Sequence, residues 1–222
     1  MADWAIIFDV DGVLLELTRE EEELFFQPFA SRCDASQLSR DWNSYRIRND
    51  EEIVAELVAR YGLPDIDRQN LKEEYLCLLH RHISGNQIAS LPINGAAKLL
   101  ERCSNIATLG IATANFREAA KLRLAHAGLW HHVSNHAFGA DGGGHKHEIL
   151  ARALSSMSVP KSRTIYVGDN LNDVEAGLKN DVNFIGFSQS AGRLKILKEH
   201  GVKQLSGDHL QTFSLIRSLL DS

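Results

Sequence analysis

At 222 residues, 44% of them hydrophobic, the chain can bury a sizeable core, either as one domain or as a domain carrying an insertion. A formal net charge of −5, with no run of Lys and Arg forming a basic stripe, argues against nucleic acid as a partner. Cys33, Cys77 and Cys103 are odd in number and lack metal-ligand spacing, the first residues form no basic signal region, and no stretch approaches the apolar length of a membrane span. A cytoplasmic protein with reduced thiols is the expectation.

In chain order, short apolar runs at 5–8, 108–113, 133–138, 164–167 and 183–187 read as strands. Amphipathic stretches at 95–103, 116–127, 147–155, 172–179, 192–200 and 208–219 read as helices. Asn115 with Glu118 predicts an N-cap pair and Gly128 a helix stop. Strands alternating with helices imply α/β class, a Rossmann-like parallel sheet with helices on both faces. Between the first strand and residue 88 the alternation fails: only helical patterns occur, at 20–33, 36–45, 51–61 and 68–83. This predicts an α/β core of residues 1–16 and 89–222 with an all-helical cap domain inserted over 17–88.

The chemistry concentrates at strand ends. Asp9-Val10-Asp11-Gly12 follows the first apolar run, and carboxylates two apart share a face of an extended chain. A second acidic pair, Asp169 and Asp173, follows the run ending at Val167, with Asp173 in a first helical turn where the dipole favours an anion. Parallel sheets bind ligands beyond the carboxyl ends of their strands, so the two pairs are expected to meet. Clustered carboxylates repel by about 4 kcal/mol per pair at some 4 Å and an effective dielectric near 20. Oxygen-only donors point to Mg²⁺ as the compensating ion, a site suited to phosphate oxygens.

These residues resemble the motifs of the haloacid dehalogenase superfamily. Asp9-x-Asp11-Gly12-Val13 matches its first motif, Thr113 its second, Lys146 its third, and Gly168-Asp169-x-x-x-Asp173 its fourth. The position of the helical insertion is similar to that of the phosphoglycolate phosphatase and β-phosphoglucomutase-like subfamily. The resemblance implies a phosphatase acting on a small phosphorylated metabolite, phosphoglycolate-like compounds first. It implies Asp9 as nucleophile, Asp11 as acid and base, and Asp9, Asp169 and the backbone carbonyl of Asp11 on the metal. Asp173 would hold the metal's waters, and Thr113, Lys146 and an amide at or beside Asn115 the transferring phosphoryl oxygens.

Other readings compete at particular residues. Lys161 is an alternative to Lys146, which is preferred although His147 stands where the family has Pro. Gly139 to Lys146 resembles a P-loop but lacks Lys directly after its second Gly and the Ser or Thr that follows. His131, His132, His136, His145 and His147 crowd one region without ligand spacing on one element, so a transition-metal site is disfavoured. Arg46, Arg48, Asn49 and Asp50 form a polar loop that either reads the substrate, with Arg48 the contact, or is a solvated turn capping the next helix. At the level of function, a sugar phosphomutase keeps every motif. A dehalogenase would lack Asp11, and a phospho-aspartate signalling receiver would lack both that acid and the helical insertion.

Overall fold

Strand β1 (Ala5–Phe8) is four consecutive, fully buried apolar residues, the signature of a central strand covered on both faces. The computed structural model describes residues 3–34, 38–85 and 89–221. β1 lies inside a six-stranded parallel sheet with β2 (Thr108–Ala112), β3 (Ala137–Phe138), β4 (Thr164–Gly168), β5 (Asn183–Phe187) and β6 (Gln204–Ser206), in the order β3-β2-β1-β4-β5-β6. Ile6 and Phe8 pack to one face, with α4 (Ala96–Ser104), α5 (Arg117–His126) and α10 (His209–Leu220). Ala5 and Ile7 pack to the other, against α7 (Lys146–Met157) and α8 (Leu171–Asn180). Full burial of Ile6, Ile7 and Phe8 contributes about 1.5–3 kcal/mol each, so the strand that precedes Asp9 is among the most firmly held parts of the sheet. The α/β class read from the sequence holds.

The chain leaves β1, passes to β2 and β3 on one side, and returns to pair β4 on the other, so the direction of winding reverses at β1 and β4. Phe8 is in register with Ile111 of β2 and Val167 of β4. Asp9, Thr113 and Asp169, each the residue just past its strand, therefore emerge side by side at the crevice such sheets use for ligands.

Between β1 and α4 lie α1 (Arg19–Ala30), α2 (Asp50–Arg60) and α3 (Asp67–Gly85), with no strand among the described residues. They share an apolar cluster of Phe25, Phe26, Phe29, Ile53, Leu57 and Leu79 that also reaches Phe116 and Ala119 of the α5 region. The outgoing and returning chain cross together: Glu16 N–H donates to Leu91 O at 2.9 Å and Ile93 N–H to Leu14 O at 3.0 Å. α9 (Ala191–Glu199) follows β5, and a short helix α6 (Trp130–Val133) precedes β3. No helix among the described residues is long and apolar enough to cross a membrane.

Three local expectations are corrected, and one strand had no expectation. The strand expected over 133–138 shrinks to Ala137–Phe138, because Trp130–Val133 and a 3₁₀ turn at Ser134–His136 take up the polar His-rich run. The helix expected over 36–45 is a 3₁₀ turn at Trp42–Ser44, residues 36 and 37 lying outside the described residues. There the side chains of Ser39, Asp41 and Ser44 bond to nearby backbone and compete with a helix. β6, only three residues at the sheet edge, carries too little pattern to be read from sequence. Finally, Asn115 and Glu118 form no N-cap: the first amides of α5 donate to carboxylates from elsewhere, Phe116 N–H to Asp50 Oδ2 at 2.7 Å and Arg117 N–H to Asp141 Oδ2 at 2.6 Å.

Candidate active site

Each side chain of the cluster is delivered by a strand tip or by a helix start next to one. Asp9 continues the ladder beyond β1, its N–H donating to Val167 O at 2.9 Å. Lys146 is the first residue of α7 and runs under the sheet tip, its ammonium 2.7 Å from Asp9 Oδ1 and 3.0 Å from Asp173 Oδ1. Burial opposes its charge, but the two carboxylates more than offset that and hold its pKa above the ordinary lysine value. Asp169 follows β4, and one oxygen each of Asp9, Asp169 and Asp173 lie within 4.8 Å of one another.

Asp173 has no freedom left. Its Oδ1 accepts from Tyr166 O–H at 2.6 Å and from Lys146, and its Oδ2 from the N–H groups of Asp169 at 3.3 Å and Asn170 at 3.1 Å. Such a carboxylate orients its neighbours and is a poor candidate for a direct metal ligand. Two glycines permit the close approach: a Cβ on Gly168 would sit 2.4 Å from Asp173 Cβ, and one on Gly12, where φ is +74°, 2.5 Å from Asp169 Oδ2. Gly12 thus lets the backbone beside Asp11 lie against Asp169.

The charges are badly balanced without a cation. Three carboxylates face one ammonium. Burial first, then repulsion from Asp173, pushes Asp9 well above the usual carboxylate range and Asp169 up to about 7. An oxygen-only cluster with this uncompensated negative charge fits a hard divalent ion.

Asp11 stands apart from that group. Its carboxylate lines the same cleft, but Oδ1 accepts from Arg123 Nη1 at 2.6 Å. Thr113 Oγ1 accepts from Asn115 N–H at 3.2 Å, which leaves the hydroxyl proton free to donate into the cleft. That same bond occupies the Asn115 amide expected to bind phosphate, and the Asn115 side-chain oxygen is turned to Arg123 at 3.3 Å.

The cleft is about 380 Å³, and Asp9, Asp11, Thr113, Lys146 and Asp169 line its floor while Trp42, Arg48, Asn49 and Asp50 come from the helical insertion. Asn49 caps α2 by accepting from Glu52 N–H at 2.9 Å, yet the turn is not solvated, since Asn49 and Asp50 are buried against the core. Asp50 N–H donates to Ala114 O at 2.9 Å, the Asn49 amide donates to Gly144 O, and Gly144 N–H donates to Glu52 Oε1 at 2.8 Å. Burial raises the Asp50 carboxyl to about 8. Arg48 borders the cleft with its Nε buried and without a partner in the protein, while Arg46 stays at the surface. Gly142, Gly143 and Gly144, all at positive φ, shape the loop that receives this docking and form no phosphate cradle of their own.

Sequence reasoning missed Arg123, Tyr166 and Glu21. Arg123 had a visible signal: position 123 falls on the same helical face as Ala119, Ala120 and Leu124, and a lone cation on an apolar face announces a buried partner.

Comparison with known proteins places these features in context. Residues 5–181 match the family described as haloacid dehalogenase-like hydrolase. Among solved structures, a hydrolase from Pseudomonas syringae is similar with a TM-score of 0.70 at 18% identity, over 97% of this chain and 98% of that one. CbbY from Rhodobacter sphaeroides, in complex with phosphate, gives 0.70 at 17% over 94% and 95%. A candidate β-phosphoglucomutase from Thermotoga maritima gives 0.66 at 21% over 97% and 99%. Identities this low establish likeness of fold alone. No curated protein matches the chain.

Proposed function

The chain belongs to the haloacid dehalogenase-like hydrolases, and on that premise we propose that it is a phosphatase that hydrolyses small phosphomonoesters with Mg²⁺ through an aspartyl-phosphate on Asp9. The observation that carries the reading is the Lys146 ammonium held between Asp9 and Asp173, with Asp169 beside them, at the tips of β1 and β4.

Asp9 and Asp169, with the backbone carbonyl of Asp11, would hold the ion, and Asp173 would orient its waters. When bound, Mg²⁺ neutralises the carboxylates and draws charge from the phosphoryl oxygens. Asp9 attacks phosphorus as the bond to the leaving oxygen breaks, and Asp11 hands that oxygen its proton. A water then attacks phosphorus, gives its proton to Asp11, and the Asp9–phosphorus bond breaks to release phosphate. Lys146 and Thr113 donate to the equatorial oxygens, where charge spreads in the transition state.

Residues 17–88 act as a cap over a core of residues 1–16 and 89–222, closing the cleft and limiting bulk water. A cleft of about 380 Å³ with an unpartnered Arg48 Nε at its edge favours a small substrate bearing a second anionic group, phosphoglycolate-like compounds first. The test is phosphate release from a panel of phosphorylated metabolites with Mg²⁺ and with chelator. Activity should vanish with chelator and in Asp9→Asn, and mass spectrometry of quenched wild-type enzyme should find a phosphoryl group on the Asp9 peptide. Isomerised sugar phosphate without net phosphate release would instead establish a mutase.

A further inference from the structure

Arg123 is the largest side chain in the protein that is almost completely buried, and all three of its guanidinium nitrogens are engaged. Nη1 donates to Asp11 Oδ1 at 2.6 Å and to Asn115 Oδ1 at 3.3 Å; Nη2 donates to the Glu16 carbonyl at 3.0 Å and lies 3.5 Å from Glu21 Oε2; Nε donates to Ser90 Oγ at 3.3 Å. These partners belong to different parts of the chain. Glu16 lies on the outgoing crossing into the helical insertion, Ser90 on the returning one, and Glu21 in the first turn of α1. Ser90, at a φ of +49°, itself donates to Glu21 Oε1, which closes the network.

We propose that Arg123 is the positioning residue of the acid and base, holding the Asp11 carboxylate by one oxygen and fastening it to both crossings through Glu16, Ser90 and Glu21. The inference rests on the phosphatase reading above. With Oδ1 engaged, Oδ2 is the oxygen that serves the leaving group and the water. A guanidinium suits this task, because its planar fork fixes direction where an ammonium fixes only distance. A purely structural role, neutralising Glu21 in the interior, would leave the leaving-group chemistry untouched, and that difference makes the two roles separable.

The experiment compares kcat/KM for 4-nitrophenyl phosphate, whose leaving group needs little protonation, with phenyl phosphate, whose leaving group needs more. In Arg123→Met, kcat/KM should fall about 100-fold on phenyl phosphate and less than about 5-fold on 4-nitrophenyl phosphate, the scale of a misplaced proton donor. Arg123→Lys should restore part of the loss, and Arg123→Met should cost nothing further in an Asp11→Asn background. Equal losses on the two esters, or additive losses with Asp11→Asn, overturn the proposal. If Arg123→Met shows no cooperative thermal transition, Glu21→Gln carries the test, since it removes the outer anchor and keeps Arg123 and Asp11. A selective loss on phenyl phosphate then supports the assignment, and equal loss or none overturns it. Failure of the underlying reading looks different: Asp9→Asn would still hydrolyse both esters, or the wild-type chain would hydrolyse neither.

Discussion

The two walls of the cleft are built on opposite plans. On the sheet side Lys146, Asp173 and Asp9 are buried and held by their partners: Lys146 is 7% exposed and lies between Asp9 and Asp173, Asp173 is completely buried, and Asp9 is fixed at its amide by the β4 carbonyl. On the helical side Trp42, Arg48 and Glu22 lean on one another and on neighbouring polar residues. Trp42 Nε1 donates to Glu22 at 3.0 Å and Arg48 Nη1 to Asn43 at 3.0 Å, and none of the three is fully buried. Bond making and breaking at phosphorus is served by dipoles and charges that need no rearrangement. Recognition of a leaving group tolerates, and profits from, side chains that adjust. On the proposed reading the contrast puts chemistry on the sheet and selection on the insertion, and each half of that proposal can be broken separately.

The largest effect should come from the sheet side. Lys146→Met strips the cation from Asp9 and Asp173, and kcat/KM should fall about 10³-fold for loss of a transition-state donor. Because it also leaves two buried carboxylates without their partner, urea unfolding should show a loss of about 3–5 kcal/mol. Wild-type stability in this variant would show that the cluster is solvated and only loosely organised.

This wall was the legible one. Asp9, Thr113, Asp169 and Asp173 follow apolar runs whose strand character is local, so a one-dimensional reading could line them up through the register of parallel strands. Lys146 needed the family resemblance as well, since its place at the start of α7 gives no sign of how far its side chain travels. The insertion was legible as helices but not as a surface. The contacts that seat α2 on the core, Asp50 to Phe116 and Glu52 to Gly144, span 66 and 92 residues of sequence and have no periodic trace. The turn at Trp42–Ser44 was misread because Asp41 and Ser44 satisfy backbone groups locally, a competition that composition does not reveal. Arg123 lay in plain sight on a helix face, and only its burial shows that it reaches Asp11.

A middle-sized effect should come from the recognition side. Arg48→Ala should raise KM about 10-fold on the best substrate of the panel while kcat stays within about 3-fold, the pattern of binding shared equally by ground and transition states. Steady-state kinetics decides it. A fall in kcat with KM unchanged would place Arg48 among the transition-state donors and erase the division between the walls.

The smallest effect concerns a carboxylate of the insertion that shares the character of the sheet side. Asp50 is buried, accepts the Phe116 amide, and is raised by burial to about 8 against an ordinary 3.8. Below about pH 4 it is protonated in both the folded and unfolded chain, and its contribution to stability is fully present. As pH rises, the unfolded chain releases the proton first while the folded chain keeps it, so stability is lost progressively until about pH 8 and is level above that. Asp50→Asn keeps an oxygen for the Phe116 amide and removes the titration. Its urea midpoint should match wild type near pH 4.5 and exceed it near pH 8.5, by roughly 1–3 kcal/mol in unfolding free energy. Parallel curves for the two proteins would mean that the amides at the start of α5 and the nearby Arg123 charge keep Asp50 ionised at neutral pH. The insertion would then be anchored by a charged cap instead of a protonated one, and Asp50 would give its seat on the core no pH dependence over this range.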